Sequence, residues 1–389
     1  MKKILVYCES PFVETGAAQV AKHILPVLSE YGEITAITVN SFLSPSADCQ
    51  WKIIPGTKED MLAIGETCKH IREDQYDLLF LTGDCNVLSV FAPHIRQRTS
   101  KKAIVVVYAA IDNEVFPSEY LDCLRVADVP VVFSHFAADI VTSAMHIQPD
   151  VIYHGCEPEI FYPLPEEERQ RLRKESFGIG PETFLIGGVG RNQVRKDFAR
   201  TMTAFKIFHE RYSGSLLFFH SKQMDQGGSL VEQATMQGLI PGKNVRFMHP
   251  NFHEASGIDR DKMNMMYNCL DCVVSTSMGE GWGLCTTEAM AAGVPFIGPR
   301  NTVFPEIVGD ERGWLVECGG PSLQYVHYGF SNVPRLLVNV DDLVEKMEEV
   351  RRIGEKSLKP VLAREWTQHH TWKEKQEEWR ELLRRCMDE

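Results

Sequence analysis

A chain of 389 residues has the length of two ordinary domains, and 44% hydrophobic with 24% charged residues is a globular composition. The formal net charge of −12 argues against broad electrostatic binding to nucleic acid or anionic lipid. The 11 cysteines are scattered without a framework, which suits the reduced thiols of a cytoplasmic protein.

Met1-Lys2-Lys3 before Ile4-Leu5-Val6-Tyr7-Cys8 is too short and too soon polar for a signal peptide. No apolar run approaches the ~18 residues of a membrane helix, so no transmembrane segment is expected. Residues 4–7, 34–39, 78–81, 103–107, 129–133 and 151–153 read as strands, with helices at 17–28, 61–71 and 136–145 between them. Continuous Val/Ile/Leu runs suit strands buried on both faces, hence a parallel sheet covered by helices. The stretch Glu157-Pro158-Glu159-Ile160-Phe161-Tyr162-Pro163-Leu164-Pro165 reads as a linker. Basic residues 169–174 follow Glu166-Glu167-Glu168 and read as a solvated helix face. The alternation then restarts, with strands at 184–189, 216–219, 245–248, 272–275, 295–298 and 314–316. Helices fit residues 200–211, 262–268, 287–292 and 341–351. This predicts an α/β protein of two doubly wound, Rossmann-like domains, residues 1–160 and 161–369, facing across a cleft. A tail of residues 370–389, with Trp372, Trp379, Leu382, Leu383 and Met387 on one face, should pack back on the first domain. Such sheets bind ligands at the carboxyl ends of their strands.

The segment with most chemistry follows the strand at 272–275. It turns through Gly279, Gly281 and Gly283 and enters a helix that Thr286 or Thr287 can cap and Gly293 can end. Backbone N–H groups and the helix N-terminus there can face an anion. Glu280 and Glu288, with seven residues between them, suit paired sugar hydroxyls: ribose for one, a donor sugar for the other. The plainer reading is two glutamates near a helix terminus. A second segment, Gly190-Arg191-Asn192-Gln193-Val194-Arg195-Lys196-Asp197, places Arg191 and Lys196 at the mouth of the sheet, with Arg195 a third cation. A leaving diphosphate needs such charge, and these cations can replace a metal. Gly16, after the first strand, lets backbone approach a phosphate or sugar.

In this order, from Gly187 to Val316, the motifs resemble the glycogen-synthase-like superfamily of retaining GT-B glycosyltransferases, the family four type. Tyr267-Asn268-Cys269-Leu270-Asp271-Cys272 and the interdomain-like Val151-Ile152-Tyr153-His154-Gly155 belong to the same pattern. The resemblance implies a metal-independent front-face transfer of a hexose from a nucleotide sugar, UDP-sugar ahead of GDP-sugar. Glu288 would hold the ribose and Glu280 the donor sugar. Gly281, Trp282 and Gly283 would offer backbone groups, Arg191 and Lys196 would hold the diphosphate, and Gly16 would close on the phosphate. The acceptor, whether saccharide, lipid-linked, protein or modified DNA base, is not read.

Many relatives carry a His after the fourth strand of the first domain; here the run is Val107-Tyr108-Ala109-Ala110-Ile111-Asp112. Asp112 is the polar candidate there, with His135 and His154 behind it. No cofactor is expected, the nucleotide sugar being a co-substrate. Cys269 and Cys272 form a CxxC better read as two core thiols. Asp259-Arg260-Asp261, a DxD, is better read as the acidic first turn of a helix than as a metal site. A GT-B epimerase, a phage-type DNA-base glycosyltransferase and a non-catalytic sugar-binding protein are the competing readings.

Overall fold

The computed structural model describes residues 1–39, 49–73, 75–98, 102–252, 257–319, 324–328 and 331–387. The chain divides into two compact units, one of Met1–Gly155 with Trp372–Glu389, the other of Cys156–Thr371.

The first unit is a parallel sheet of β1 (Lys2–Glu9), β2 (Gly32–Val39), β3 (Lys52–Pro55), β4 (Leu78–Asp84), β5 (Ile104–Ala110), β6 (Val129–Val132) and β7 (Asp150–Val151), in the order β3-β2-β1-β4-β5-β6-β7. Parallel strands need crossovers, and helices supply them: α1 (Gly16–Ser29), α2 (Ile64–Glu73) and α3 (His135–Met145). Val6 of β1 lies between Ala36 of β2 and Phe80 of β4, all three fully buried. The sequence pattern misses β3, because this four-residue edge strand is only partly buried and shows no apolar run. It also starts α2 three residues early. The carboxylate of Asp60 takes the N–H groups of Ile64 and Gly65 at 2.9 and 2.8 Å, so the helix begins there and Met61 stays outside it.

The helix Trp372–Met387 belongs to this unit. Trp379 stands edge-on to Phe80 and Tyr108, with ring centres at 5.3 and 4.9 Å. Trp372 stacks on His23 at 4.3 Å. Gly155 is obligatory at the point of re-entry, since a Cβ there would lie 2.3 Å from the Cα of Trp372.

The second unit repeats the plan. Its strands are β8 (Phe184–Val189), β9 (Ser215–His220), β10 (Met224–Asp225), β11 (Gly228–Ser229), β12 (Val245–Phe247), β13 (Cys272–Val274), β14 (Phe296–Pro299) and β15 (Trp314–Val316). Six of them form a parallel sheet in the order β12-β9-β8-β13-β14-β15, while β10 and β11 make a small hairpin. A second hairpin, Gln324–Tyr328 with Ser331–Arg335, has no counterpart in the sequence reading. Helices α4 (Glu166–Phe177), α5 (Phe198–Arg211), α6 (Leu230–Met236), α7 (Arg260–Cys269) and α8 (Leu284–Ala291) follow in chain order. Both units thus carry the doubly wound strand order in which the connection reverses beside the first strand.

Two local expectations are corrected. The stretch 157–165 is no free linker: Phe161 is 1% exposed, and the N–H groups of Tyr162 and Leu164 bond the side chains of Asn264 and Asn268 on α7. The basic face of α4 is not wholly solvated either. Arg169 and Arg171 pair with glutamates of their own helix, but Arg173 is 1% exposed and bonds Asp271 and the Cys269 carbonyl. An Arg so placed is a structural fork, because its planar donors match a carboxylate and a carbonyl together.

Trp379→Ala should cost the first unit about 3–5 kcal/mol, by the usual cost of emptying a large buried aromatic site. Urea unfolding followed by circular dichroism measures it; an unchanged midpoint would show that the tail does not stabilise this core.

Candidate active site

In the second sheet β8 and β13 are neighbours, but the chain leaves them toward opposite sides. The loops after those two strands therefore meet at the carboxyl edge, where doubly wound sheets bind ligands. The first loop ends in a short turn, Val194–Lys196, closed by Asp197 at φ 47°. The second runs from Ser275 to Gly283, whose φ of 91° lets the chain turn into α8; any side chain there would be strained.

Hydrogen bonds lace the loops together. The Met278 N–H reaches the Arg195 carbonyl at 2.7 Å, and Arg195 Nη1 donates to the Gly279 carbonyl at 2.9 Å. The Thr276 hydroxyl lies 3.0 and 2.8 Å from the carbonyls of Lys196 and Asp197. From the other side Thr302 Oγ1 accepts the Glu280 N–H at 3.2 Å, and Asn301 donates to the Ser277 carbonyl at 3.2 Å. The result is a firm backbone under Glu280.

The Glu280 side chain lies between two cations. Its Oε2 is 2.9 Å from Arg195 Nη1, and its Oε1 accepts from Lys196 Nζ. Burial, to 6% exposure, pushes this carboxyl up; the charges of Arg195 and Lys196 and hydrogen bonds from Lys196 and Ser277 outweigh it and hold the group at about 2. A cavity of about 20 Å³ beside it is lined by Lys196, Glu280, Gly283, Cys285 and Thr286, among others.

Glu288 sits further along α8 in a different setting. Tyr267 donates to its Oε2 at 2.9 Å, and Arg260 Nη1 stands 3.7 Å from Oε1. Burial raises this carboxyl, and Arg260 and Tyr267 offset only part of the rise. Arg260 is itself shared: it pairs with Glu157 and lies over the Phe161 ring at 4.9 Å. Their surroundings thus move the two glutamates in opposite directions, Glu280 downward and Glu288 upward.

The structure thus gathers Lys196, Arg195 and Glu280, and places Glu288 on the adjoining helix. Arg191 is held elsewhere, 2.8 Å from Asp225 in the β10–β11 hairpin, with its side chain 45% exposed. Gly281 and Gly283 are partly buried, and the Trp282 indole is 3% exposed, 6.4 Å from the Trp366 ring. Thr286 and Thr287 do not cap α8. Gly283 occupies the cap position, and the Thr287 hydroxyl bonds back to the Leu284 carbonyl at 3.0 Å, which leaves the first turn without a side-chain cap. Backbone donors of that turn can serve an anion. Gly293 does end the helix, at φ 71°.

Two expected residues lie in the first unit. Gly16 opens α1 exposed, behind a Thr15 cap, and Asp112 is partly buried two residues past β5. His154 is a core residue there, packed against Tyr108, Phe133 and Trp372, and burial depresses its imidazole to about 3. His135 opens α3, edge-on to Tyr153. Asp259 caps α7, its side chain taking the Asp261 N–H at 3.0 Å. Cys269 and Cys272 are buried free thiols, both pushed up by burial. The sequence reading missed Arg260 and Tyr267 as partners of Glu288. Arg260 was hidden inside the DxD, and nothing marked the Tyr267 hydroxyl among core residues.

Residues 169–323 match the family described as Glycosyl transferases group 1. By sequence, the chain is similar to the D-inositol 3-phosphate glycosyltransferase of Corynebacterium jeikeium, 29% identical over 47% of this chain and 42% of that protein. It is also similar to the lipopolysaccharide core biosynthesis mannosyltransferase LpsB of Rhizobium meliloti, 28% identical over 43% of this chain and 45% of that one. The matched region spans less than half the length of these relatives. By structure, sucrose-phosphate synthase of Thermosynechococcus elongatus aligns over 100% of both chains with TM-score 0.74 at 15% identity. Anabaena HepE in complex with UDP-glucose aligns over 98% of this chain and 99% of that one with TM-score 0.70 at 16% identity. The shared architecture of paired parallel α/β units is the GT-B fold.

Because Glu280 is held below its ordinary value of 4.5, its charge stabilises the folded state fully above pH 4.5, and this stabilisation is lost as pH falls through about 2. Glu280→Gln should therefore lower stability at pH 7 by on the order of 3 kcal/mol, since it leaves two largely buried cations uncompensated. The deficit should close as the pH is lowered across that window. Melting curves of both proteins from pH 7 to pH 2 decide it; a deficit that ignores pH would mean that the loss is one of packing.

Proposed function

We propose that this chain is a retaining glycosyltransferase that uses a nucleotide-diphosphate sugar, a reading supported by the match of residues 169–323 to the Glycosyl transferases group 1 family and by the GT-B fold. The observation that carries the reading is the pairing of two phosphate-type cations with two carboxylates at one sheet edge: Arg195 and Lys196 beside Glu280, and Glu288 one helix further on. A bare sugar site has no use for clustered cations, and a bare phosphate site has no use for carboxylates. A nucleotide sugar needs both.

In the proposed reaction Glu288 accepts the ribose hydroxyls, and its neighbours Tyr267 and Arg260 hold it in place. Lys196 takes the diphosphate, with the α8 N-terminus and the backbone of Gly281 and Gly283 as further donors. Arg191 joins it, since a surface ion pair such as Arg191–Asp225 contributes only about 0–1 kcal/mol and is readily given up. The bond between the anomeric carbon and the phosphate oxygen breaks, and its electron pair leaves on the diphosphate. An acceptor hydroxyl bonds that carbon from the same face, and its proton passes to the departing oxygen. The protein's part is positioning and stabilisation of the leaving charge. Glu280 faces the sugar as positive charge develops there. The family resemblance extends the proposal to Gly16 for the phosphate and Asp112 for the reacting sugar. UDP-sugars are the first donors to test, since UDP-glucose is bound by a protein of the same fold.

Turnover should survive a chelator, because cations of the chain itself carry the leaving charge. Loss of nucleoside diphosphate release in EDTA, restored by Mn²⁺ or Mg²⁺, would refute the metal-independent route. Glu288→Ala should mainly weaken donor binding. A hydrogen bond to a charged group contributes roughly 1.5–3 kcal/mol, so about 10- to 150-fold is the scale. Glu280→Ala should instead lower kcat more than it raises the donor KM. Steady-state kinetics with a donor found in a nucleotide-sugar panel tests both; wild-type turnover and affinity in both variants would remove the main support for the transferase reading.

A further inference from the structure

The groups that the proposed reaction needs are already engaged with one another. Arg195 Nη1 and Lys196 Nζ both hold the Glu280 carboxylate, which is 6% exposed. Two cations and one carboxylate leave one net positive charge. A nucleotide diphosphate brings two negative charges to the same cations. If Glu280 stayed between them, three negative charges would share two cations away from water, where like charges repel most strongly. Without any anion, the two cations would face each other in a largely buried loop, which is as unfavourable. The backbone of Glu280 is tied to Thr302 by its N–H, and Gly279 and Gly281 flank it, so its side chain can turn while its main chain stays.

We infer that Glu280 is the resident counter-anion of the phosphate site: it neutralises Arg195 and Lys196 in the ligand-free protein, and the donor's diphosphate displaces it toward the donor's sugar. This rests on the nucleotide-sugar reading above. It gives Arg195 a role as a phosphate-binding cation, and it couples the two halves of donor recognition. The sugar gains its carboxylate only when a diphosphate has taken the cations, so a free sugar finds Glu280 occupied. After transfer, Glu280 returns to the cations and helps to expel the nucleoside diphosphate.

Inorganic pyrophosphate, which has neither ribose nor sugar, is the discriminating probe. Glu280→Gln keeps the shape and removes the competing charge, so it should bind pyrophosphate roughly tenfold tighter than wild type or better by titration calorimetry. A residue that merely contacts sugar would leave that affinity unchanged. Arg195→Gln should weaken pyrophosphate binding, and Glu288→Gln should leave it within about twofold, since no ribose is present. Under turnover Glu280→Gln should combine a lower kcat with tighter inhibition by the product nucleoside diphosphate. Equal or weaker pyrophosphate binding by Glu280→Gln overturns the inference. If that variant does not fold, the double variant Glu280→Gln/Lys196→Gln removes one charge of each sign and should regain the wild-type melting temperature; failure to do so also overturns it. The broader reading fails separately, when wild type binds pyrophosphate as described but no nucleotide sugar.

Discussion

A carboxylate neutralised twice over is the constraint on which the second unit's ligand edge is built. Past Gly190 and Ser275, whose N–H groups still bond the carbonyls of His220 and Ile297 on neighbouring strands, both loops leave the sheet, and cross-ties between them hold their paths. The Glu280 pair with Arg195 and Lys196 is the charged centre of those ties, and Thr276, Met278, Thr302 and Asn301 are its neutral frame. A buried charge without partners would be costly, which is why the carboxylate and both cations come from loops that meet at one point of the sheet.

The contrast between the two glutamates follows from the same electrostatics. Glu280 has two full charges against it and stays ionised. Glu288 has a phenol and an arginine that is shared with Glu157 and with an aromatic ring. Spreading Arg260 over three partners weakens its hold on Glu288, and burial then dominates. Two carboxylates of one motif are thereby given different chemical characters by their surroundings rather than by their own structure.

The doubly wound plan was legible in the sequence because buried parallel strands leave unbroken apolar runs; residues 184–189 and 314–316 were read at the bounds the structure gives to β8 and β15. What was lost is what such runs do not encode. The strand β3 is short and half-wet, and α2 is set by an aspartate whose capping role depends on the turn it occupies. At the site, residue types at their spacing pointed to Glu280, Glu288 and Lys196. Partners could not be read, since pairing depends on which loop faces which. Arg195, adjacent to Lys196 in the chain, shares its carboxylate, while Arg191 turns to a hairpin that no periodicity announced.

The chain visits its first unit twice, and this orders events during synthesis. All of residues 156–371 leave the ribosome before Trp372–Met387 does. The second unit is then complete in sequence while the first still lacks the helix that covers Phe80 and Tyr108. For that interval the nascent first unit presents an uncapped aromatic floor, a surface of the kind that holding chaperones grip, and the last sixteen residues of helix end the need for one.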